Sequence, residues 1–121
     1  MNFDEAVKSH AQWKLNLKRY LDNPDGSIRA VDLQKDNLCE LGKWLYSDEV
    51  AALRELPEFK QLVEEHKKFH MAAAEIVRRR DGGEEVDQYI ALGSSSLFAE
   101  TSAKMIHLLA KIKCMLKVLT G

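Results

Sequence analysis

PEFKQLVEEHKKFHMAAAEIVRRRDGG, residues 57–83, is the stretch whose reading decides the fold. Proline suits the first turn of a helix, where its missing N–H would have no partner in any case. From it Phe59, Leu62, His66, Phe69 or His70, Ala73 and Val77 recur at spacings of three and four, the mark of one helical face. Arg78, Arg79 and Arg80 place positive charge in the last turn, where the helix dipole favours it, and Asp81-Gly82-Gly83 ends the run. The stretch predicts one long helix with His66 and His70 on its apolar stripe.

Upstream, Asp4 is a plausible N-cap for a first helix in which Ala6, His10, Trp13, Leu17 and Tyr20 share a face. Asn23-Pro24-Asp25-Gly26-Ser27 is strong turn chemistry and ends it. Residues 28–34 read either as irregular chain or as a short helical turn. Asp36-Asn37 offers a cap for a short helix from Leu38 to Tyr46, carrying Cys39, Leu41, Gly42 and Leu45, and Ser47-Asp48-Glu49 caps another from Val50 to Leu56. Downstream, Val86, Ile90, Gly93, Leu97, Met105, Leu108, Ile112, Met115 and Leu119 predict the buried face of one helix from about Glu84 to Leu119, with Ser94-Ser95-Ser96 inside it. The expected fold is all-α, an antiparallel four-helix bundle with an additional short helix, in a single domain over residues 1–121.

Composition narrows the function. A formal net charge of −1 gives no field to draw nucleic acid or an anionic membrane. No apolar run is long enough to span a bilayer, and no basic start precedes an apolar stretch, so a cytoplasmic setting is expected. Two cysteines, Cys39 and Cys114, are there better read as thiols than as a disulfide. No Gly-rich phosphate loop appears, nor a nucleophile with a base beside it, so no catalytic residue is assigned.

Three histidines and one cysteine fall where the patterning turns them inward: His10, Cys39, His66 and His70. His66 and His70 are four apart, which stacks both rings on one face of a helix. Two unpaired imidazoles on an apolar face would carry a desolvation cost that a shared ion removes. Three imidazoles and a thiolate form a complete tetrahedral set for Zn2+. Each residue taken singly reads more readily as core filler than as a ligand; the four together are harder to explain that way. Trp13, Trp44 and Phe69 could wall such a site or simply fill the core. Gly42, three after Cys39, could make room for the ion or for a neighbouring helix. Asp36 is a candidate partner for the second nitrogen of a ligating histidine. His107 and Cys114, seven apart and off the main stripe, read as surface or interface residues.

His10-x-x-Trp13, Cys39-x-Leu41-Gly42-Lys43-Trp44-Leu45-Tyr46 and His66-x-x-Phe69-His70 closely resemble the motifs of the bacterial chemoreceptor zinc-binding domain family, the Cys-centred run most specifically. The resemblance spans roughly Phe3 to Leu119. It implies a four-helix bundle with zinc held by three His and one Cys, here His10, Cys39, His66 and His70. It also implies sensing of zinc and of oxidants such as hypochlorous acid, in chemoreceptors or cyclic-di-GMP cyclases. Lys117 to Gly121 resembles the start of a junction that leads into a cyclase in some members.

The expected function is therefore a zinc-binding regulatory domain, not an enzyme, with a chemoreceptor or diguanylate cyclase as the output partner. A mononuclear metalloenzyme with an exchangeable ligand and a bundle merely stapled by zinc are the alternatives. A dinuclear site lacks its inward Glu-x-x-His carboxylates. Ile106, Leu109 and Met115 beside Leu108, Ile112 and Leu116 put apolar residues on more than one side of the last helix, which predicts a homodimer unless residues 51–56 fold back over them.

Overall fold

Helix-forming periods, broken by cap and turn residues, set the element order. The computed structural model describes residues 2–120, with side chains as far as Lys117. Among the described residues the regular structure is entirely helical: α1 (Phe3–Asp22), α2 (Ala30–Leu33), α3 (Glu40–Leu45), a 3-10 helix (Asp48–Leu53), α4 (Pro57–Asp81), α5 (Gln88–Ala91) and α6 (Leu97–Thr120). Leu119, expected on the buried face, and the Lys117–Gly121 junction beyond Lys117 lie outside the described side chains.

α1 begins two residues earlier than Asp4 would set it. Asn2 is the N-cap: its side chain accepts the Glu5 N–H at 2.8 Å, and the Glu5 carboxylate accepts the Asn2 N–H at 3.1 Å. This reciprocal pair satisfies two donors that a helix start leaves open. Asp4, inside the first turn, instead pairs with Lys113 of α6 at 2.7 Å. Ala6, His10, Leu17, Tyr20 and Leu21 form the buried face of α1, with Trp13 half-buried beside them. α4 runs between its expected limits, with Pro57 in the first turn and the three arginines in the last. The Tyr20 hydroxyl donates to Asp81, and Arg80 donates to the Leu21 carbonyl, so the end of α4 is tied to the end of α1.

The final third departs from one continuous helix. Asp87 caps α5 by accepting the Tyr89 N–H at 2.8 Å, and α5 ends after four residues. The Ser96 hydroxyl donates to the Gly93 carbonyl at 2.6 Å and accepts the Ala99 N–H at 3.1 Å. Serine competes for backbone groups in this way, which makes it a helix starter rather than a helix interior residue. The serine run therefore breaks the helix, and α6 begins at Leu97. Ile90 and Leu97, expected on a buried stripe, are 75% and 57% exposed.

α4 packs most extensively against α6, and also against α2 and α1. Leu17, Leu62, Phe69, Ala73, Val77, Met105, Leu109 and Ile112 are fully buried between these helices. Each large side chain so buried contributes about 1.5–3 kcal/mol. Leu109, expected as part of a surplus apolar side, is thus inside the single chain, while Ile106, Met115 and Leu116 are half-buried. No helix among the described residues is long and apolar enough to cross a membrane.

Candidate metal centre

α4 presents His66 and His70 one turn apart, both buried, and α3 brings Cys39 to them as its N-cap residue. The expected helix start at Leu38 moves to Glu40, because the sulfur itself caps α3: Sγ accepts the Gly42 N–H at 3.2 Å. Cys39 Sγ lies 3.4 Å from His66 Nε2 and 3.3 Å from His70 Nε2, and the two Nε2 atoms are 3.0 Å apart. The edges of a tetrahedral zinc site are about 3.3 Å between nitrogens and about 3.6 Å from nitrogen to sulfur. The triangle is within a few tenths of an ångström of one face of that tetrahedron.

Tautomers support the same reading. His70 Nδ1 lies 2.7 Å from the Leu33 carbonyl, which can only accept, so Nδ1 carries the proton and Nε2 offers a lone pair into the cluster. Leu33, from α2, and not Asp36, is thus the partner of His70's second nitrogen. Asp36 instead accepts the Tyr46 hydroxyl. His66 Nδ1 is buried with no hydrogen-bond partner. Among the described residues, Cys39, His66 and His70 are the group whose donor atoms all lie within 4.8 Å of one another.

His10 is close but differently engaged. It is 3% exposed, its ring packs 4.3 Å from Phe69, and its Nε2 is 2.8 Å from Ser102 Oγ of α6. With Trp13, Leu41 and Phe69 it encloses the three donors in a cavity too tight for a free water molecule. Trp13 sits edge-on to His70 at 6.3 Å, whereas Trp44 packs edge-on against Phe3. On the outer side, Cys39 and His70 also border an open groove with Trp13, Ile28, Leu33 and Leu38.

Gly42 has a different use from the one its position suggested. A Cβ there would stand 1.7 Å from the Asp36 carbonyl oxygen, so the space is filled by the 36–37 backbone. His107 and Cys114 are both exposed on α6, away from the cluster. The Leu33 carbonyl had no signal in the sequence. Ser102 did have one: it is a polar residue four after Phe98 and three before Met105, on the apolar stripe of α6.

The chemoreceptor zinc-binding domain family matches residues 10–77, which include all four of these sulfur and imidazole residues. The chain belongs to that family. No curated protein and no solved structure matches it. Zinc is the metal of a chemoreceptor zinc-binding domain, and the Cys39, His66 and His70 donors are placed to bind a metal ion.

Burial governs the electrostatics of this domain's site. It lowers His10 to about 4 and His66 to about 3, with the charge of His70 adding to each, and it lowers His70 against the opposing pull of the Leu33 carbonyl and Asp36. Burial pushes the Cys39 thiol up; the N–H groups of Gly42, Leu41 and Cys39 itself oppose this, and Asp36 adds to it. A bound dication reverses that balance and holds the sulfur as thiolate.

A pH dependence follows for the metal-free protein. Unfolded imidazoles take up protons near 6.5, while the folded ones stay neutral to well below that. The unfolded state therefore binds more protons between about pH 4 and 6.5, and stability is lost as pH falls through that window. Between pH 7 and pH 5 the loss should be on the order of 2 kcal/mol for each of His10 and His66. Urea midpoints in the presence of chelator measure it, and equal midpoints at the two pH values would refute it.

Proposed function

We propose that the chain is a zinc-binding sensory domain in which His10, Cys39, His66 and His70 hold one zinc ion. The observation that carries this reading is the close triangle of two imidazole nitrogens and a sulfur, with separations close to a tetrahedral face. His10 walls the same cavity, which supports assigning it as the fourth donor. With all four positions filled by protein, no position remains for a substrate, which favours regulation over metal catalysis.

The experiment that tests the set is X-ray absorption on the purified protein. One zinc per chain with three nitrogen donors and one sulfur is expected, and a shell of oxygen and nitrogen alone would remove Cys39.

The same reading extends to signalling. Zinc keeps Cys39 as a thiolate, the form that oxidants attack, and the outer groove reaches that residue. Hypochlorous acid is then expected to modify Cys39 of the zinc-loaded protein ahead of the exposed Cys114. Mass spectrometry showing Cys114 modified first, with zinc retained, would defeat the oxidant role. A chemoreceptor or a diguanylate cyclase is the output we assign, in the cytoplasm.

We read residues 1–121 as one domain, because α6, beyond the matched segment, packs along α4 inside it. We also read the helices as a four-helix antiparallel bundle whose fourth side is filled by the short α2 and α3. A homodimer is proposed through the apolar side chains that α6 leaves half-buried, Met115 and Leu116 on one flank and Ile106 on the other. Light scattering at the mass of one chain at every concentration would remove it.

A further inference from the structure

We propose that Ser102 holds His10 back from the metal site, so that zinc binding exchanges the His10–Ser102 hydrogen bond for a metal bond and loosens α1 from α6. This rests on the reading of His10 as the fourth ligand.

His10 is the one member of the set whose ring nitrogens do not join the cluster. Its Nε2 is instead 2.8 Å from Ser102 Oγ, and its ring is buried against Phe69. A buried imidazole nitrogen without a partner is costly, and a hydroxyl, which both donates and accepts, satisfies it in either tautomer. A nitrogen that binds metal through its lone pair cannot also hold that hydroxyl. Occupying the site with Nε2 of His10 and keeping the bond to Ser102 are therefore mutually exclusive.

The exchange acts on a particular joint. Beside their packing, α1 and α6 are joined among the described residues by two side-chain hydrogen bonds, His10 to Ser102 and Asp4 to Lys113. The Asp4–Lys113 pair is largely exposed, and such pairs contribute little. The buried tie is the one that metal removes. α6 meanwhile stays packed along α4, which carries His66 and His70. Zinc would thus draw His10 of α1 toward α4 while releasing its hold on α6.

The test is Ser102→Ala. Alanine removes the competing partner from the metal-free state only, so zinc affinity, measured by chelator competition, should rise about 2- to 10-fold. The metal-free protein should unfold at lower urea while the zinc-loaded protein does not. Ser102→Thr, which keeps the hydroxyl, should return the affinity to that of the natural chain. Unchanged affinity with both forms weakened alike would show a packing role and overturn the proposal. Weaker affinity would show that Ser102 positions a ligating His10 and would overturn it too. Nitrogen NMR of the natural protein gives a second reading: zinc should shift Nε2 of His10, and a metal shift on Nδ1 instead refutes the exchange. His10→Ala separates the two levels. If it leaves zinc affinity unchanged, the four-ligand reading fails; if it weakens zinc while Ser102→Ala does not strengthen it, only the exchange fails.

Discussion

Replacing His66 or His70 by alanine is expected to weaken zinc binding by roughly 100-fold or more, since a structural zinc site draws on the order of 10 kcal/mol or more from four ligands. Each replacement removes one of the two Nε2 atoms that stand 3.0 Å apart and leaves a void in a tight cavity. The two variants should differ in a second respect. His70 also bonds the Leu33 carbonyl, so its loss frees α2, whereas His66 Nδ1 has no partner to lose. His70→Ala should therefore raise hydrogen exchange at residues 30–35 more than His66→Ala does. His107→Ala, on the exposed side of α6, is the control. Chelator competition reads all three, and a loss at His107 equal to that at His66 would place the metal elsewhere.

Gly42→Ala is expected to be severe for a reason unrelated to backbone freedom. Alanine is the best helix former, and Gly42 lies inside α3 without a positive φ, so propensity alone would favour the change. The new Cβ would stand 1.7 Å from the Asp36 oxygen, 2.8 Å from the Asp36 carbonyl carbon and 3.1 Å from Asn37 Cα, all of them backbone atoms. Backbone cannot yield as a flexible side chain does, and a loss of roughly 3 kcal/mol, about 10 °C in Tm, is expected. The Gly42 N–H also bonds Cys39 Sγ, so the shift should reach the zinc site as well. A melting temperature equal to that of the natural chain would show that residues 36–37 can move aside freely.

Much of this was legible in the sequence because the long helices announce themselves. α4 has a proline start, an unbroken period and a glycine stop, and α1 has a period and a turn. The inward placement of His66 and His70 follows from the period of α4; Cys39 meets them as the N-cap of a short helix rather than from within its period. The serine run at 94–96 does not read as a break, because a periodic apolar pattern on both sides hides one whose cause is local hydrogen bonding by Ser96. Gly42 was visible as a missing side chain, but its neighbour, a main-chain oxygen from a patternless segment, was not. The same holds for the Leu33 carbonyl: any residue can present one, so no residue type marks it. The bond between His10 and Ser102 depends on how α1 and α6 are docked, and periodicity along one helix does not encode the register between two.

The unequal spacing of the three clustered donors along the chain divides the work of the metal. His66 and His70 are neighbours on one helix, so joining them restricts the unfolded chain hardly at all. Cys39 and His66 are 27 residues apart. A bond through the ion between them acts as a cross-link, and closing a loop of that length is worth about 3.5 kcal/mol of chain entropy in any state that keeps the ion on both residues. Among these three donors the sulfur thus carries nearly all of the tethering, and breaking that single bond opens the 40–65 loop while the two nitrogens of α4 still hold the ion.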